Sequence, residues 1–166
     1  MYKLYLLIFS TVLFFSYNGY VLIKHGFLPS ISASYYELNK KIQPIFTFFI
    51  WGFIFPVMVV GETGFMFMAG ALIAFVGASP NFEERDKNGG FYEKSLEGEV
   101  HAVGAMGGIL LALTSLIVNF NLYLPVIAFI FIIISFKLLK IRNVIYWSEI
   151  VAFLTVLGSL YYIILS

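Results

Sequence analysis

Glu149 is the residue in this chain most clearly placed to do chemistry, because it lies inside a long apolar run rather than at its edge. It stands about six residues into that run, roughly 9 Å from the end of a helix at ~1.5 Å per residue. A carboxyl group at such a depth must be protonated, paired or reached by water. His101 opens another apolar run, Asn18 stands about six residues before Lys24 in a third, and Thr47 and Trp51 carry polar atoms near the start of a fourth. These five residues form one predicted polar layer, since a buried polar group is tolerated only where it meets partners. Binding of a proton, a cation or a small polar solute is the chemistry that such a layer supports, with Glu149 supplying charge and His101 a second titratable group. The plainer readings are a structural hydrogen bond for Glu149, a helix start for His101 and interhelical glue for Asn18.

Other chemistry has less behind it. Ser32 or Ser34, His101 and Glu149 supply the letters of a hydrolytic triad, and His101, Glu149 and Glu99 those of a metal site, but no spacing marks either. No metal and no cofactor is expected. The chain has no phosphate-binding glycine loop, HExxH helix, nucleophile elbow or dinucleotide fingerprint. Cysteine is absent, which removes thiol nucleophiles, disulfides and thiolate metal sites. A net charge of +1 without a basic cluster gives no footprint for nucleic acid.

The surroundings of these residues define the class. Of the 166 residues, 61% are apolar and 11% charged, far from soluble usage, so lipid must solvate most of the surface. The expected fold is an all-α integral membrane bundle forming a single domain over residues 1–166. Its six transmembrane helices are predicted at about 4–23, 44–60, 65–78, 100–120, 123–136 and 144–165. The first run is too long for a secretory leader and no Ala-x-Ala-like site follows it, so it reads as a retained span. Pro56 inside the second run predicts a kink, which membrane helices tolerate.

Basic residues give the bundle a direction. Lys24, Lys40 and Lys41 flank the first loop, Arg85, Lys87 and Lys94 the third, and Lys137, Lys140 and Arg142 the fifth, leaving Lys3 alone on the other side. The positive-inside rule then predicts loops one, three and five in the cytoplasm and both termini outside. Ser34 and Glu37 stand at capping-box spacing, which predicts a short interfacial helix over Tyr35 to Lys41 in the first loop. Pro80 to Glu99, charged and holding Asn88-Gly89-Gly90, reads as a solvated connection.

Small residues mark where helices press together. Gly70, Ala74 and Ala78, with Gly77 beside them, predict one such face on the third span, and Gly104 and Gly108 predict another on the fourth. These two antiparallel spans are expected to meet backbone to backbone. Membrane lipids are the expected partners, together with a second copy or a membrane protein docking on these faces. Three functions fit: a small carrier or channel-like protein using the polar layer, an accessory subunit of a membrane complex, and a membrane-embedded lipid-processing enzyme. A non-catalytic role is favoured over an enzyme, because no soluble catalytic module is present.

Overall fold

A computed structural model of the chain describes residues 1–78 and 96–166. Among these residues the protein is all-helical, with seven helices and no strand: α1 (Tyr2–His25), α2 (Ser34–Glu37), α3 (Pro44–Gly61), α4 (Gly64–Ala78), α5 (Leu96–Val118), α6 (Tyr123–Leu138) and α7 (Val144–Leu165). Four of them, α1, α3, α5 from Gly98 onward, and α7, are long and apolar enough to cross a membrane; α4 and α6 are shorter apolar helices of 15 and 16 residues. The predicted connection from Pro80 lies outside the described residues as far as 95, and Leu96 already begins α5.

Local chemistry sets the helix ends. Gly26 stops α1 with φ 76° while its N–H still reaches the Leu22 carbonyl, a conformation that costs glycine little. Pro44 opens α3 where its missing N–H would have been unpaired anyway. The helix continues through Pro56 and ends at Glu62, which is left-handed at φ 47°. Asn143 precedes α7 at φ 59°, a region asparagine enters more readily than most residues.

The first connection differs from its expected form. Helix α2 covers Ser34–Glu37 and stops at Leu38, which is extended, so it does not reach Lys41. Ser34 lies inside the helix and makes no side-chain cap. Its hydroxyl is taken instead by the Ile31 carbonyl and by Tyr17. Ser30 caps the preceding turn, accepting the Ala33 N–H at 3.1 Å.

Helices α1, α3, α4, α5 and α7 pack in a ring, each against the next, and α1 meets α7 to close it. In lipid, apolar burial drives helices together only weakly, so close packing must hold the ring. At the α4–α5 seam a Cβ on Gly104 would lie 2.8 Å from the Leu72 carbonyl oxygen, and one on Gly108 3.0 Å from that of Ala69. Only glycine permits that approach. Gly70 faces the other way, against Met58 and Ile54 of α3, and Gly77 faces Ile50 and Trp51. Gly70 and Gly77 of α4 therefore serve α3, while Gly104 and Gly108 of α5 serve α4. Inside the ring Phe14, Phe49, Phe53 and Phe153 form a contiguous aromatic cluster with ring centroids 5.0–6.5 Å apart. Helix α6 sits outside, against α7 and α5, and buries only Val126.

Candidate functional site

Residues 27–38, after α1, form a strap across one end of the ring. A surface loop normally points its apolar side chains outward or lacks them. Here Leu28, Ile31, Ala33 and Leu38 are buried, as are Ser32 and Ser34. Burying this backbone leaves amides and carbonyls that need partners; turns within the strap supply several, and α7 with its N-cap residue supplies three more. The Ile31 N–H donates to Glu149 Oε2 at 2.6 Å, the Tyr146 N–H donates to the Pro29 carbonyl at 3.1 Å, and Asn143 Nδ2 donates to the Phe27 carbonyl at 3.2 Å. The Phe27 ring packs against Trp147, with centroids 5.3 Å apart, and edge-on against Tyr146.

Three alternate serines fasten the strap in three directions. Ser30 closes its own turn. Ser32 Oγ lies 2.9 Å from Nε2 of His101 on α5. Ser34 Oγ donates to the Ile31 carbonyl at 2.6 Å, which spends its only proton, so Tyr17 of α1 must be the donor in the 2.6 Å contact between their oxygens. The Tyr17 ring is in turn stacked on Phe49, centroids 4.0 Å apart and 7° from parallel. Strap, α1, α5 and α7 are thus joined through polar atoms that are mostly buried. Ser32 and His101 are 5% and 7% exposed, so the pair is closed off from the surroundings in this conformation.

The predicted layer of five residues separates into three places. Glu149 and His101 come together on adjacent strap residues, Ile31 and Ser32. Asn18 turns back on its own helix, donating to the Phe14 carbonyl at 2.9 Å. Thr47 and Trp51 lie at the α3–α4 contact, where they donate to the Gly77 and Ala74 carbonyls at 2.7 and 2.9 Å. The Gly77 carbonyl belongs to the last turn of α4, which leaves such groups without helical partners, whereas Ala74 stands just before that turn. Thr47 therefore meets a carbonyl that the helix leaves open, and Gly77 lets α3 approach. Tyr17 and the Ile31 amide belong to the site but were not picked out by sequence. The letters Ser32, His101 and Glu149 are visible in the sequence, and all three meet at the strap. Among the described residues no group of three His, Asp or Glu side chains gathers where it could hold a metal ion.

Two cavities frame the site. Within the ring, an apolar cavity of about 20 Å³ lies between Phe53, Met66, Ile73, Ile109 and Phe153. Beside the strap, Phe27, Pro29, Arg142, Asn143 and Trp147 line an open depression of about 600 Å³. Compared with models of protein families, with curated proteins and with solved structures, the chain gives no significant match, so its function is read from this geometry alone.

Proposed function

We propose that the chain is a six-span integral membrane protein, with the strap and both lysine-bearing loops beside it in the cytoplasm and both termini outside. In this reading the strap carries a serine–histidine pair that cleaves an ester or amide bond of a lipid at the cytoplasmic leaflet. The 2.9 Å contact between Ser32 Oγ and His101 Nε2 supports it most, because a hydroxyl becomes a nucleophile when a base stands within hydrogen-bond reach. Lys24, Lys40, Lys41, Lys137, Lys140 and Arg142 cluster in the connections at the strap end while Lys3 lies at the other, which supports the orientation. Helices α4 and α6 span roughly 22–24 Å at ~1.5 Å per residue, and flanking residues with a locally thinned bilayer make up the difference.

The chemistry follows from the pair. Nε2 takes the proton of Ser32 as the oxygen attacks the carbonyl carbon, then gives that proton to the departing alcohol or amine. A water molecule, deprotonated by the same nitrogen, releases the acyl group and restores Ser32. Glu149 touches no reacting atom. It is a positioning residue that fixes the Ile31 amide next to the nucleophile. Because the pair is closed in, the strap must swing outward to admit a substrate carbonyl. Hydrolysis of ester lipids by the protein in vesicles tests this: Ser32→Ala and His101→Gln each lose activity while the helical content is unchanged, and retained activity in either variant refutes the pair.

A second reading, binding or passage of a proton, cation or small polar solute, draws on the depth of Glu149 in α7. The two part company at Glu149→Gln. An amide oxygen still accepts from Ile31, so hydrolysis survives, whereas a flux that depends on the carboxylate is lost. An accessory role is supported by the exposed flank of α6 and has its own sign, a membrane protein that copurifies with the chain.

A further inference from the structure

We infer that the groove between α1 and α3 seats one acyl chain of an anionic phospholipid, with the lipid phosphate held between Lys24 and Lys41. This rests on the lipid-directed reading above and names the class of lipid. The groove has a volume of about 620 Å³, within the usual range for a ligand site, and its lining is almost wholly apolar. On α1 its wall runs from Phe9 through Leu13 and Ser16 to Tyr20, and on α3 from Phe55 to Ile45. Each wall is therefore about 15 Å tall at ~1.5 Å per residue, which is the depth of one leaflet of a ~30 Å hydrocarbon core.

The charges stand where a headgroup would. Lys24 lies four residues beyond Tyr20 on α1, and Lys41 four residues before Ile45, in the turn that leads into α3. On α1 residues four apart share a helix face, which sets Lys24 in line with Tyr20. Both lysines are exposed, and each lies just past the end of one wall in sequence, Lys24 after that of α1 and Lys41 before that of α3. A protein helix seated there would need acidic residues at that level, whereas a bilayer presents phosphate there everywhere, and the cytoplasmic leaflet is rich in anionic lipid. The groove also adjoins the strap. Tyr17 lines it and donates to Ser34, two residues from Ser32.

The test uses the Ser32→Ala chain, so that a bound lipid is not consumed. It is reconstituted in vesicles of equal phosphatidylglycerol and phosphatidylcholine, extracted in mild detergent, and its retained lipid counted by native mass spectrometry. The expected result is retention of the anionic lipid over the zwitterionic one, by about fivefold for each lysine, the worth of a basic side chain at an anionic surface. Lys24→Glu with Lys41→Glu removes the preference. Ser16→Trp fills the groove from an exposed position and removes the lipid itself. Equal retention of both lipids, retention unchanged by Ser16→Trp, or a dimer whose groove is filled by its second copy overturns the inference. Binding without any hydrolysis by the unmodified chain would leave the groove standing and remove the serine–histidine reading.

Discussion

The two ends of the helix ring tie down their connections by different means. At one end the strap is fastened by Glu149, His101 and Tyr17, from three helices, to atoms that are largely buried. At the other, Glu62 in the short turn between α3 and α4 accepts from Lys3 at 2.5 Å and from Tyr2 at 3.4 Å, all in exposed positions. Beside it Thr63 reaches Ser115, which donates to Asn119. An exposed ion pair can break and be resolvated at little cost, while a buried amide that loses its acceptor cannot. The Glu62 end merely closes a turn. The strap end holds a twelve-residue segment closed over the ring, with the Ser32 oxygen 2.9 Å from an imidazole nitrogen of His101.

Substitutions can break this contrast at graded strength. Glu149→Leu has the largest expected effect, because it strands the Ile31 N–H in a buried place at a cost of about 1–3 kcal/mol. Faster hydrogen exchange at the Ile31 amide and a lower unfolding midpoint in detergent measure it; Glu149→Gln, which keeps an acceptor, loses much less. Tyr17→Phe comes next. It removes one hydrogen bond to Ser34 for about 1 kcal/mol and leaves the stack on Phe49 intact, so exchange rises in the strap while the helices hold.

Lys3→Ala is the mildest, with little change in midpoint at neutral pH. Its signature is in acid. The hydrogen bond from Lys3 lowers the Glu62 carboxyl below its ordinary value of 4.5, so the link stabilises the fold above that value and is lost as pH falls through the lowered one. A pH series of unfolding midpoints should show a shallow decline on the acid side that Lys3→Ala flattens. A decline of the same size in the variant would mean that Glu62 is not its source.

The helices were legible because an apolar run bounded by charge, glycine or proline has few other ways to satisfy its backbone in lipid. Distance from a helix end can also be read along a sequence, and it groups Glu149, His101, Asn18, Thr47 and Trp51. Azimuth cannot. Thr47 and Trp51 lie on the side of α3 that meets α4, and Asn18 bonds within α1, so equal depth did not make them neighbours. The strap is illegible in the sequence for a related reason. Its key bond joins Ile31 to a residue 118 positions away, and a backbone N–H leaves no mark in a sequence. Ser34 had the spacing of a helix cap, yet a tertiary partner, Tyr17, claimed its hydroxyl. Gly104 and Gly108 declared close packing through their spacing, whereas Gly70 could not declare that its partner is α3 rather than α5.

Covalent labelling tests the central claim most directly. The protein in vesicles is treated with a lipid-like fluorophosphonate, which modifies a serine activated by a neighbouring base, and the modified peptide is located by mass spectrometry. The expected result is a single adduct on Ser32 that disappears in His101→Gln and persists in Glu149→Gln. Labelling that spares Ser32, or that is equal in the His101 variant, would contradict a working serine–histidine pair and leave their contact as a fastening of the strap.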